Sequence, residues 1–256
     1  MNKPTPDPIP AEIVAQFSEI DVACISDVLE ALGLNCVTLG LRPLDPTWKI
    51  CGTAVTMRLV PLQDRHDWEQ ELSAHVLIDM SKPGDVCMID MGGRVDVAPW
   101  GGNTAKDGKT RGVNGVVIDG ACRDSEQIVG IGFPTFTRGT CSSNSHGKTL
   151  TTCLNSEAVQ IGTISVAPGD LVIGDRDAIV VVPAGRTAEV LRLAQKRHEL
   201  DAGTFDLMRD EVLDRASPEY RKLRAENRRD VLESYGLNSS RGGLGLELEK
   251  SNEPVV

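Results

Sequence analysis

The chain lacks several of the short motifs that announce a chemistry. It has no C-x-x-C pair, no G-x-G-x-x-G or G-x-x-x-x-G-K-S/T phosphate loop and no G-x-S-x-G serine elbow. Nucleotide binding therefore loses its usual backbone cradle, and serine hydrolysis its usual nucleophile. The seven cysteines (Cys24, Cys36, Cys51, Cys87, Cys122, Cys141, Cys153) are odd in number, and several lie inside apolar strands. They read as reduced, mostly buried thiols. The four histidines (His66, His75, His146, His198) are equally scattered, which argues against a zinc site. No apolar run approaches the roughly 20 residues of a membrane span. The opening MNKPTPDPIPAEIV is a Pro-rich lead-in without the apolar centre of an export signal. The expectation is a soluble, cytoplasmic protein with no membrane partner. A formal net charge of −10, with no basic cluster interleaved with aromatics, argues against nucleic-acid binding. Arg221, Lys222, Arg224, Arg228 and Arg229 are accompanied by Glu219, Glu226 and Asp230, which reads as a solvated helix face.

What is present is enough apolar material for one large core: 256 residues, 40% apolar. PAEIVAQFSEI predicts a short helix. DVACISDVLEALG predicts another, with Asp21 as its cap and Gly33 as its stop. CGTAVTMRLV alternates as a strand does. DWEQELSAHVLIDM suits a helix with Trp68, Leu72 and Val76 on one side. Pro-Gly-Asp occurs twice, at 83–85 and 168–170, each time before a short apolar run, Val86–Met91 and Leu171–Ile173. Both are expected to be type II turns feeding strands, with Asp85 and Asp170 stabilising the turns. Asp175 and Asp177 are expected in a hairpin turn before the strand at 178–183. A helix capped by Thr187 follows, and 203–236 read as helical and charged. These elements divide as a lead-in and short helix (1–20), a main α/β domain (21–203), and a helical extension with a flexible tail (204–256).

The stretch VVIDGACRD carries the chemistry. Val116, Val117 and Ile118 anchor a strand, Asp119-Gly120 is expected to turn it, and Arg123 stands beside Asp124. A guanidinium is a planar fork of donors that matches a carboxylate. A carboxylate is a hard ligand for Mg²⁺ or Mn²⁺. A small oxo-acid needs both. The plain alternative is that Asp124 caps the helix SEQIVGIG. Upstream, APWGGNTAKDGKTRG places Trp100, Gly101 and Gly102 before a short helix, whose N-terminal amides near Asn103 and Thr104 could hold an anion. The plain reading there is a glycine loop with Thr104 as an N-cap. Other candidates carry less. Cys141 and His146 share the loop GTCSSNSHGK without a third orienting group. Asp90 and Asp96 flank Met91-Gly92-Gly93 and could face the same pocket. Trp48 and Trp100 read as packing residues.

The ordered blocks SDVLEALGL, GLRPLDPTWKICGTAVTMRLVP, KPGDVCMIDMGG, WGG with RGVNGVVIDGACRD, and APGDLVIGDRDAIVVVPAG resemble the class II 4-hydroxy-4-methyl-2-oxoglutarate aldolases. That family also includes the protein called regulator of ribonuclease activity A. The resemblance runs from about Asp21 to Gly203. It implies a swivelling β/β/α domain, with strands sandwiched and flanked by helices, here with extra C-terminal helices. It also implies homotrimers or homohexamers with active sites between subunits, and metal-dependent lyase chemistry on a small anionic 2-oxo acid. By the same resemblance Arg123 binds the substrate and Asp124 the Mg²⁺ or Mn²⁺. Gly101, Gly102, Asn103 and Thr104 form the substrate loop, and Glu199 from a neighbouring subunit is a second metal ligand.

One departure stands out. The family motif is Asp, twenty residues, then Arg-Asp; counting back twenty-one positions from Arg123 lands on Gly102. An aldol cleavage needs a base for the substrate hydroxyl, whereas decarboxylation of a 2-oxo diacid does not. The glycine therefore handicaps aldolase chemistry more than decarboxylase chemistry. Two alternatives stay open: a non-catalytic regulatory binding protein, and a hydratase or isomerase acting on a related acid with the same metal site.

Overall fold

The computed structural model describes residues 9–62, 74–210, 222, 225, 226 and 229. The chain separates into two compact units, Met1–Glu199 and Leu200–Val256. In the first, α1 (Ala11–Ser18) and α2 (Val22–Ala31) lead into short strands β1 (Val37–Thr38) and β2 (Arg42–Pro43) and the long strand β3 (Ile50–Pro61). Next come α3 (Ala74–Met80), β4 (Val86–Arg94), α4 (Gly102–Thr110), β5 (Gly115–Cys122), α5 (Ser125–Ile131) and β6 (Thr135–Thr140). Strands β7 (Thr149–Leu154), β8 (Val159–Ile161), β9 (Ile164–Val166), β10 (Leu171–Gly174) and β11 (Ile179–Val182) precede α6 (Thr187–Asp210).

Among the described residues nine strands form one sheet, in the order β1-β11-β10-β3-β4-β5-β6-β2, with β7 also paired to β3. Strands β3, β4, β5 and β6 run parallel, and the flanking pairs are antiparallel. The period-2 rule distributes these strands' side chains to two cores. Cys87, Ile89, Val116, Ile118 and Cys122 join Leu77 of α3, Ala105 of α4 and Ile128 of α5 on one face. Val86, Met88 and Val117 meet Val159, Ile161, Ile164 and Val166 of the β8–β9 hairpin on the other. The result is a β/β/α sandwich. Every residue of β5 is buried, as expected of a strand covered on both sides.

Both Pro-Gly-Asp turns form as the sequence predicts. Gly84 and Gly169 have φ +92° and +91°. Asp85 accepts the Lys82 N–H at 2.7 Å and Asp170 the Ala167 N–H at 2.9 Å. The hairpin turn at Asp175 is present too, its carboxylate accepting the N–H groups of Asp177 and Ala178. Helix α2 stops at Gly33, φ +69°, where Leu34 N–H reaches back to the Leu29 carbonyl.

Three details differ from the sequence reading. Asp21 occupies the N-cap of α2 but makes no side-chain cap bond; it pairs with His198 at 3.5 Å. Thr187 begins α6 but gives its hydroxyl to the Ala184 carbonyl instead of capping an N–H. Asp119-Gly120 makes no turn, and β5 continues through it to Cys122, with a shift in pairing register at that point. The reason is pairing: Asp119 is 3% exposed, its carboxylate accepting from Arg138 Nε and, at 3.0 Å, from Gly162 N. Gly120 serves close approach, because a Cβ there would lie 2.7 Å from the Arg94 carbonyl oxygen.

Trp68, Leu72 and His66 lie outside the described residues; in α3 Leu77 and Ile78 are fully buried and Val76 half-buried. In the second unit α6 continues to Asp210, and positions 222, 225, 226 and 229 are helical and exposed, with Lys222 and Glu226 3.9 Å apart. None of the seven cysteines forms a disulfide, and five of them are buried. No helix among the described residues is long and apolar enough to cross a membrane.

Candidate functional site

Arg123 and Asp124 sit where β5 ends and α5 begins. The Arg123 N–H donates to the Trp100 carbonyl at 2.9 Å, which fixes the strand end against the segment before α4. Trp100 is itself fixed by burial, 1% exposed and stacked on Phe133 with centroids 5.8 Å apart. Both tryptophans are packing residues, Trp48 lying half-buried against the same core. The chain then passes through Gly101, the N-cap of α4.

Asp124 occupies the N-cap position of α5, but its side chain makes no cap bond there. It adopts φ +54°, a left-handed conformation that costs a non-glycine residue roughly 1–2 kcal/mol. That backbone turns its carboxylate across to the other helix, where Oδ2 accepts the N–H of Gly102 at 3.2 Å. Asp124 thus holds the N-cap position of α5 as the plain reading expects, but its carboxylate serves α4. The Arg123 Nε lies 3.5 Å from the same oxygen. Gly101 lies directly under this pair: a Cβ there would be 2.7 Å from Asp124 Oδ2 and 3.1 Å from Arg123 Cγ. Its φ of −149° is ordinary extended backbone, so the glycine is required by proximity alone.

The neighbouring amides are disposed for an anion. Asn103 and Thr104 belong to the first turn of α4, whose N–H groups have no carbonyl four residues back within the helix. Asn103 is exposed and Thr104 is 7% exposed. Thr104 is the third residue of the helix and not its cap. One guanidinium and one carboxylate therefore meet at the N-terminus of α4, the kind of place where backbone N–H groups attract an anion.

The place that the family aspartate would take is filled. A Cβ at Gly102 would lie 2.3 Å from Gln127 Oε1 and 3.1 Å from Gln127 Cβ. Gln127, on α5, carries no sequence signal that marks it, and only the meeting of α4 and α5 brings it here.

Other predicted residues go elsewhere. Asp90, 6% exposed, pairs with Arg58 at 3.0 Å and accepts the N–H of Gln160, so it faces the β8–β9 layer instead of α4. Asp96 is bound to Arg94 at 2.7 Å, which holds its carboxyl below the usual range. Glu199 is exposed on α6, and its expected role concerns a second copy of the chain. Among the described residues no three His, Cys, Asp or Glu side chains gather within this chain as a metal-binding group. Burial pushes the Cys122 thiol up to about 11, which makes it inert as a nucleophile at neutral pH. The loop of Cys141 and His146 runs beside Ala98, which donates to Ser143 O and accepts from Ser145 N. A cavity of about 720 Å³ lies at the opposite ends of the parallel strands, lined by Val14, Ile50, Cys51, Asn114 and Phe133. Two of its polar lining groups are bonded to backbone carbonyls, Cys51 to Val14 and Asn114 to Cys51, and we place the site at the α4 terminus.

Fold and geometry together define a β/β/α protein in which an Arg-Asp pair at the C-terminal end of a parallel strand meets the N-terminus of a helix. The RraA-like family model, Aldolase/RraA, matches residues 22–181, and the chain belongs to that family. A protein of Halalkalibacterium halodurans named "Putative 4-hydroxy-4-methyl-2-oxoglutarate aldolase" is 32% identical over 202 residues, 79% of this chain and 91% of that protein. The crystal structure of an uncharacterized protein from Pseudomonas syringae aligns with a TM-score of 0.73 at 25% identity, covering 85% of this chain and 98% of the other. Streptomyces coelicolor RraAS2, described as an unusual member of the RNase ES inhibitor RraA protein family, aligns with a TM-score of 0.70 at 25% identity. That alignment covers 77% of this chain and 98% of RraAS2.

Proposed function

We propose that the protein is a divalent-metal-dependent lyase that cleaves a carbon–carbon bond of a small 2-oxo di- or tricarboxylic acid and releases pyruvate. We further propose that it acts as a homotrimer or homohexamer with sites between subunits. The observation that carries the reading is the convergence of Arg123, Asp124 and the Gly102 N–H of α4 around Gly101.

The residues suit Mg²⁺ or Mn²⁺. Such ions keep several waters and take one or two protein carboxylates. Asp124 offers one, with a single N–H bond at Oδ2 and its side chain 35% exposed. Glu199 of a neighbouring copy is the candidate second donor. The ion, when bound, polarises the substrate's 2-oxo group.

The chain's own groups do the rest. The N–H groups of Asn103 and Thr104 hold the substrate carboxylate at the positive end of α4. Arg123 pairs with the substrate and stabilises the negative charge that develops as the bond breaks. The hydrogen bond from its backbone N–H to Trp100 O fixes the strand end from which the side chain projects. Because position 102 is glycine, the chain places no carboxylate there to take a hydroxyl proton.

The test is pyruvate release with Mg²⁺ from a 2-oxo diacid and from a 4-hydroxy-2-oxo diacid, with Mn²⁺ titration alongside. Asp124→Ala is expected to abolish both metal binding and turnover. Unchanged metal binding in that variant removes the metal-site assignment. A second reading, a regulatory binding protein, is favoured by the likeness to RraAS2 and by Gly102 itself. Absence of metal binding and of turnover on both substrates would select it.

A further inference from the structure

We propose that Gln127 is the specificity-determining residue of this site. Its carboxamide holds the space beside Gly102, keeps that space neutral, and confines the site to C–C cleavage that needs no base. The inference rests on the lyase reading above.

Two side chains cannot share the space. At Gly102 a Cβ would meet Gln127 Oε1 at 2.3 Å, Cβ at 3.1 Å and Cδ at 3.2 Å. The oxygen is the end of a flexible chain and can swing away, but the Gln127 Cβ moves only with α5. Any side chain at 102 therefore expels the carboxamide, and the carboxamide in place requires glycine. Gly102 is itself buried, and the three atoms nearest to a Cβ there all belong to Gln127.

The neutral group matters because of its neighbour. Gly102 N–H is the donor to Asp124 Oδ2. A side chain at 102 would project from the residue whose N–H holds Asp124 in place. A carboxamide brings one donor face and one acceptor face with no charge. The space beside Gly102 thus holds no proton acceptor of carboxylate strength.

The substrate class follows from electron bookkeeping. In a 2-oxo diacid the bond from C3 to the departing carboxylate breaks, its electron pair stays on C3 as the enolate of pyruvate, and CO₂ leaves. Water protonates C3, and the hydroxide formed takes up CO₂ as bicarbonate. In a 4-hydroxy-2-oxo acid the C3–C4 bond breaks toward C3 in the same way. There, however, the C4 hydroxyl must give its proton to a base as it becomes a carbonyl. A site with a carboxamide in this space supports the first and starves the second.

The test uses the full chain in four variants: Gln127→Ala, Gly102→Asp, the double variant, and Gln127→Glu, which leaves the backbone at 102 untouched. Two readouts are taken, thermal unfolding and the ratio of kcat/KM for aldol cleavage to that for decarboxylation. Gly102→Asp is expected to lower Tm, and adding Gln127→Ala to restore most of the loss. The double variant and Gln127→Glu are expected to raise the aldol-to-decarboxylation ratio by about 10²-fold, the scale of one general base. Simple structural damage would lower both activities together and leave the ratio alone. If Gly102→Asp folds with wild-type Tm, or the ratio is the same in all four variants, the inference fails while the lyase reading stands. If Tm couples as expected but wild-type releases pyruvate from neither substrate, the lyase reading fails and takes the specificity role with it.

Discussion

Replacing Gly101 with alanine should dislodge the Arg123–Asp124 pair without altering any charge. The added Cβ would lie 2.7 Å from Asp124 Oδ2, 3.1 Å from Arg123 Cγ and 3.2 Å from Arg123 Nε. Comfortable separations are roughly 3.5–4.0 Å. The carboxylate must therefore retreat by up to about 1 Å, lengthening its 3.2 Å bond from Gly102 N–H. Since Gly101 has extended backbone, alanine incurs no conformational strain. It even gains about 0.4–1 kcal/mol by restricting the unfolded chain. Overpacking costs about 1–3 kcal/mol. The net loss of stability is then on the order of 1–2 kcal/mol, while a misplacement of about 1 Å at reacting groups costs about 10²-fold in rate. Urea unfolding and kcat/KM for pyruvate release read the two quantities separately. Gly130→Ala is the control, because its Cβ enters open space in α5. Wild-type kcat/KM together with wild-type stability in Gly101→Ala would refute the geometry.

Gly130→Ala itself is expected to stabilise the protein by about 0.5–1 kcal/mol from helix propensity, measured in the same urea titration. Asp119→Ala strips Arg138 and Gly162 N–H of their acceptor and should cost about 3 kcal/mol, toward the lower end for a buried pair because the Arg138 side chain is 28% exposed. A loss under about 0.5 kcal/mol would mean the pair does not hold the β8–β9 hairpin. Alkaline pH should weaken the fold: burial pushes the Cys51 and Cys87 thiols up to about 12 and Cys122 to about 11, from 9.0. Above pH 9 the unfolded chain releases protons that the folded chain keeps, so stability falls by up to about 1.4 kcal/mol per pH unit per thiol until the folded pKa is reached. Stability independent of pH from 9 to 11 in urea titrations would contradict their burial.

How far the sequence revealed the molecule depended on the range of the interactions involved. The two Pro-Gly-Asp turns were legible because Gly84, Gly169 and their aspartates act within three residues of one another. The strands at Val86–Met91 and Val116–Ile118 were legible as short apolar runs, but their burial on both faces left the division into two layers unwritten in any local alternation. The site was legible only in part. Arg123 and Asp124 are adjacent in the chain, yet nothing local says that Asp124 turns away from its own helix to meet an N–H 22 positions upstream. Asp119-Gly120 misled for the same reason: a dipeptide that favours turns is held in a strand by Arg138 and by Gly162, 43 residues away. Gln127 was invisible because its role is steric exclusion against a glycine on another helix, and an absent side chain leaves no motif. A site built from contacts between elements is thus announced by the residues that bear charge and completed by residues that bear none. The second group has to be read from coordinates, at the places where a missing Cβ shows which neighbour has taken its space.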